Sequence, residues 1–91
     1  MHKITYDPVK RARTLKEREL DFEDAGLAFA GPTYTAQDDR RDYGEFRYIT
    51  AGLLRGRMMT VVWTPRYEAR HVISFRKANN REEEKYKDLL G

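Results

Sequence analysis

The sequence predicts an α+β domain with the order β-α-α-β-β-β-β-α, its strands forming a single antiparallel sheet and its helices packed on one side. Three observations predict it. An Asp-Pro helix signal follows a short apolar opening, strand-like runs fill the second half, and an asparagine-capped segment closes the chain. Ninety-one residues fit one domain, residues 1–91, because two separate cores would each be too small to be stable.

Ile4 and Tyr6 begin the opening strand. Asp7-Pro8 starts the first helix, with Asp as N-cap and Pro where its missing N–H costs nothing, and the helix is expected to run to about Arg18. Its apolar stripe of Val9, Ala12 and Leu15 is narrow, and Lys10, Arg11, Arg13 and Lys16 fill the rest. A second, shorter helix starts near Asp21, buries Phe22, Ala25 and Phe29, and ends at Gly31-Pro32.

From Thr33 the period changes. Thr33 to Ala36 is a short polar run suited to an edge strand, and Asp38 to Tyr43 is a charged loop. Phe46 to Leu54 forms the next strand, with Arg55-Gly56 as a turn. Met58 to Thr64 is nearly continuous apolar sequence, as in a central strand covered on both faces. Pro65 to Glu68 makes the following hairpin loop, and His71 to Arg76 returns. Asn79 or Asn80 caps the closing helix. Its acids precede its lysines, which suits the helix dipole and pairs Glu83 with Lys87. Tyr86, Leu89 and Leu90 supply its docking face.

Composition excludes several functions. Eighteen basic against fifteen acidic side chains give a net charge of +3, a modest tilt towards polyanions. Cysteine is absent, so disulfides, thiolate zinc sites and cysteine nucleophiles are ruled out. No apolar run approaches the roughly 20 residues that span a bilayer, and Met1 to Tyr6 lacks the apolar stretch of a signal peptide. The chain reads as cytoplasmic, with no membrane and no cofactor.

Chemistry is expected around Arg66, Arg70, His71, Arg76 and Lys77. Strand alternation puts Arg70, Val72, Ser74 and Arg76 on one face and His71, Ile73, Phe75 and Lys77 on the other, with Ile73 and Phe75 towards the core. Metal-independent RNA cleavage needs a group to take the 2′-OH proton and a cation for the phosphorane. Imidazole suits the first and guanidinium the second. The candidate catalytic residues are His71, Arg66 and Arg76, and the candidate RNA-binding residues are Lys10, Arg13, Arg70, Lys77 and Tyr67. A plainer reading stays open, in which these are solvated cations that discourage pairing at a sheet edge.

Other clusters carry less. Asp38, Asp39, Asp42 and Glu45 miss the calcium-loop spacing, and Arg40 and Arg41 oppose a cation, so the segment reads as a solvated turn and no metal is expected. Trp63 reads as packing, His2 as incidental, and Ser74 lacks an adjacent base.

The order Ile4-Thr5-Tyr6-Asp7-Pro8-Val9-Lys10, Leu20 to Ala25, Arg57 to Thr64, His71 to Ala78 and Arg81-Glu82 resembles the BrnT family of type II toxins, whose fold is similar to the RelE/ParE superfamily. The resemblance implies a metal-independent ribonuclease that inhibits translation. It also implies neutralisation by a BrnA-like antitoxin with a DNA-binding domain, which brings the pair to operator DNA. Arg76 and Lys77 lie within the matching motif. Relatives commonly carry Lys-His-Gly where Glu17-Arg18-Glu19 stands here, and His where Trp63 stands. Two alternatives remain: a non-enzymatic ParE-like toxin that inhibits a protein target, and a subunit acting mainly by assembling with a DNA-binding partner.

Overall fold

The computed structural model describes residues 3–90, so the reading of His2 lies outside the described residues. The elements are β1 (Lys3–Tyr6), α1 (Pro8–Arg18), α2 (Ala25–Ala30), β2 (Thr33–Gln37), β3 (Tyr48–Leu54), β4 (Arg57–Arg66), β5 (Ala69–Lys77) and α3 (Asn80–Tyr86). The α+β class and the order of elements agree with the expectation. Asp7 accepts the Val9 N–H at 2.9 Å and Pro8 opens α1. Phe22–Asp24 forms a 3₁₀ turn leading into α2, so the second helix begins later than Asp21.

One sheet runs in the order β1-β5-β4-β3-β2. β2 to β5 pair antiparallel, but β1 lies parallel to β5, with Lys3 opposite Ala69 and Tyr6 opposite Val72. The sheet is therefore mixed rather than wholly antiparallel. Parallel neighbours need a long connection, and residues 7–68 intervene between these two.

The helices divide between the two faces, which corrects their expected packing on one side. Phe22 and Ala25 cluster with Leu54, Met59, Val61, Val72 and Phe75 on one face. Tyr86 of α3 instead packs with Ala51, Met58 and Ala78 on the other. The cause is local: the Ala78 N–H bonds to the Met58 carbonyl at 3.0 Å, which turns the chain beneath the sheet. Asn79 and Glu82 then close a reciprocal capping box. Leu89 stays exposed, and Lys87 pairs with Glu84 at 2.7 Å rather than with Glu83.

α2 presses closely on β3. A methyl group at Gly52 would lie 2.8 Å from the Ala28 carbonyl oxygen. Because that contact is backbone, relief requires moving the helix. Gly52→Ala is expected to cost about 2 kcal/mol and to lower the melting temperature by roughly 8–16 °C, measured by circular dichroism. A melting temperature within about 2 °C of the parent would show that α2 shifts freely.

Both hairpins turn in two residues. Arg55 and Gly56 take φ of 50° and 80°, the left-handed pair that matches strand twist. Tyr67 takes φ of 55°, so only Tyr67 and Glu68 connect β4 to β5, and Pro65 and Arg66 stay in the strand rather than in the expected loop. Pro65 is tolerated because the pairing of β3 with β4 stops at Trp63. β3 itself starts at Tyr48, not Phe46.

Candidate active site

A bulge in β5 decides which side chains meet. Ser74 pairs with Val62 and Val72 with Trp63, which leaves Ile73 as an extra residue. Beyond it the strict alternation expected from sequence fails. His71 joins Ser74 and Arg76 on the face away from α2, while Arg70, Val72 and Phe75 share the face that α2 covers. Lys77, opposite Met59, belongs to that second face as well.

His71 lies opposite Thr64 on β4 and Thr5 on β1. Thr5 Oγ1 is 2.9 Å from its Nδ1. Burial pushes the imidazole below its ordinary 6.5, and Arg66 and Lys10 push the same way against the weaker pull of Glu45 and Asp7. These influences favour the neutral imidazole, whose lone pair can take a proton. Next to it, Lys3, Thr5, Arg66, Tyr67, Glu68 and Ala69 line a cleft of about 590 Å³. Tyr67 projects fully into solvent at the hairpin tip.

Arg66 is loosely held, with Glu45 at 3.5 Å. Arg76 is held tightly: its fork meets both oxygens of Glu82 at 2.7 and 2.8 Å. The pair raises the guanidinium and lowers the carboxyl. A guanidinium so engaged ties β5 to α3 before it meets any substrate.

Lys10 and Arg13 line a second cleft, of about 240 Å³, between α1 and β5, with Arg18, Ile73 and Ser74. β1 pairs with β5 only as far as Val72, so the strand edge beyond it is open. There Arg18 Nη1 donates to the Phe75 carbonyl at 3.3 Å. Arg70 is elsewhere. Its guanidinium lies 4.3 Å from the Phe29 ring and 5.4 Å from Trp63, and burial lowers its pKa. Trp63 is a packing residue, as expected: it contacts Phe29 and Tyr48 edge-on and tilted, and its Nε1 donates to Thr50 at 2.8 Å.

Arg66 and Lys10 thus lie near enough to act on His71, Tyr67 shares a cleft with Arg66, and Arg13 shares the α1 cleft with Lys10. The fold does not bring Arg70 and Lys77 to the His71 face. Sequence reasoning missed Thr5, Lys3, Glu45 and Arg18. Period-two alternation pairs Lys3 with Thr5 on one face, but nothing in the sequence signals which strand β1 joins. The segment after β2 is also more than a solvated turn. Asp38, only 4% exposed, binds Arg40 through both oxygens and accepts the Tyr43 hydroxyl. Those contacts hold its carboxyl down at about 2.

Among the described residues no group of three or more His, Asp or Glu is placed to hold a metal ion. Nor is any helix there long and apolar enough to cross a membrane.

The half-buried His71 imidazole, with the Arg66 and Lys10 cations near enough to act on it, is an arrangement that suits phosphodiester cleavage. A family model described as "Ribonuclease toxin, BrnT, of type II toxin-antitoxin system" matches residues 6–82. The chain belongs to that family. It is a ribonuclease toxin of a type II toxin–antitoxin system, and an antitoxin protein is its partner. No curated protein matches the chain. The family favours the enzyme over the two non-enzymatic alternatives, and the matched span contains His71, Arg66 and Arg76.

Proposed function

We propose that the protein cuts RNA by internal transphosphorylation at the face carrying His71, without a protein-held metal ion. The 2′-oxygen attacks phosphorus while His71 Nε2 takes the 2′-OH proton. The bond from phosphorus to the 5′-oxygen breaks, and that oxygen takes a proton from water. The products carry a 2′,3′-cyclic phosphate and a 5′-hydroxyl. In this reading Thr5 Oγ1 accepts the Nδ1–H, which leaves the Nε2 lone pair facing outward. Arg66 carries the phosphorane charge, Lys10 and Arg13 hold the strand beside α1, and Tyr67 stacks on a base. Arg76 acts through its tie to α3.

The observation that carries this reading is His71, held by Thr5 beside the cleft of Arg66, with burial and that cation favouring its neutral form. The family resemblance supports the finer points. Cleavage would inhibit translation in the cytoplasm, and the antitoxin would be BrnA-like, with a DNA-binding domain that brings the pair to operator DNA. The test is cleavage of purified RNA in EDTA, with and without ribosomes, followed by analysis of the ends. Cyclic phosphate and 5′-hydroxyl termini are expected. Intact RNA in both reactions, or 5′-phosphate ends, would overturn the proposal.

A further inference from the structure

The loop between β2 and β3 builds a further cationic cleft, of about 520 Å³, lined by Arg40, Arg41, Tyr43 and Arg47. Its frame is rigid. The buried Asp38 carboxylate clamps Arg40 at 2.7 and 2.8 Å and takes the Tyr43 hydroxyl at 3.1 Å. The Asp38 N–H bonds to the Arg47 carbonyl at 2.8 Å, which closes the loop at its base. The Arg47 guanidinium then covers the Tyr43 ring at 4.1 Å, with Arg41 at 5.8 Å. Among the described residues Arg41 has no carboxylate within ion-pair distance.

Two contacts join this cleft to the His71 face. Thr64, the cross-strand neighbour of His71, donates to the Phe46 carbonyl at 2.6 Å and pins the loop there. Glu45 bridges the two sites, with one oxygen 3.4 Å from Arg47 and the other 3.5 Å from Arg66. Arg47 and Arg66 are therefore one carboxylate apart.

We propose that Arg41 and Arg47 form a second phosphodiester subsite, which takes a backbone phosphate of the RNA strand being cut at His71. This deepens the ribonuclease reading and rests on it. The ligand is a phosphate rather than a base, because Arg47 already covers the aromatic face on which a base would stack. Recognition here is by charge and is independent of sequence. A strand entering the cleft displaces Glu45 from Arg47 and frees Arg66 for the scissile phosphate at the same time.

The test uses a fluorescent, 2′-O-methylated RNA of about 12 nucleotides, which binds but cannot be cut. Arg41→Ala, on an exposed loop position, is expected to weaken binding about tenfold. It should also reduce the slope of log affinity against log salt by about 0.7, the value for one lost single-strand phosphate contact. Unchanged affinity and slope in Arg41→Ala would overturn the subsite. Loss of antitoxin binding with RNA affinity unchanged would also overturn it, and would assign the cleft to the protein partner. The catalytic reading fails separately, if His71→Ala still cuts unmodified RNA at the parental rate.

Discussion

His71→Ala is expected to lower kcat/KM for RNA by about 10²–10⁴-fold, the usual contribution of a positioned general base, with the fold intact by circular dichroism. The pH dependence gives an independent signature. Burial first, and Arg66 next, hold the imidazole below its ordinary 6.5. A general base works in its neutral form, so the rate should rise with pH through that lowered value and level off at a lower pH than an imidazole of ordinary pKa would give. Stability follows the same group. Between the folded value and 6.5 the unfolded chain binds more protons, so the contribution of His71 is fully present above 6.5 and is lost as pH falls through the folded value. In the alanine variant both acid limbs should flatten. A parental pH profile in His71→Ala would remove this residue from proton transfer.

What could be read in advance followed the reach of local rules. Asp7-Pro8, Arg55-Gly56 and the Asn79-Asn80 pair carry their own capping and turn chemistry; the first two appear in those roles, and of the two asparagines it is Asn79 that caps α3. Non-local pairing was not legible. The bulge at Ile73 arises from how β5 fits β4, and strict alternation across it put His71 on the wrong face. The direction of β1 depends on a partner strand more than 60 residues later. Likewise, nothing near Asp38 reveals that Arg40 and Tyr43 will bury its carboxylate, so the spacing rules saw only an unsuitable metal loop. Three cations were counted together at Arg70, Arg76 and Lys77 because they are close in sequence. The fold puts Arg76 on the opposite face from Arg70 and Lys77, ties it to Glu82, and packs Arg70 on Phe29 and Trp63.

Arg66→Ala is expected to reduce kcat by about 10²–10³-fold, as loss of one preorganised contact to the developing oxyanion charge does, while changing stability by less than about 0.5 kcal/mol. Among the described residues its only ion pair is a loose, half-exposed contact with Glu45, so little of the fold depends on it. Arg66→Lys should recover only part of the rate, because an ammonium keeps the charge and loses the planar fork. Arg76→Ala should behave in the opposite way. The Glu82 carboxylate that holds Arg76 also accepts the Asn79 N–H at 2.9 Å, so removing the guanidinium loosens the start of α3. The expected result is a lower melting temperature with kcat within about threefold of the parent, since Arg76 then touches no transferring group. Measuring kcat and melting temperature for the pair separates the roles. A large loss of kcat at an unchanged melting temperature in Arg76→Ala, with Arg66→Ala near parental, would move charge stabilisation from the hairpin to the α3 end of β5.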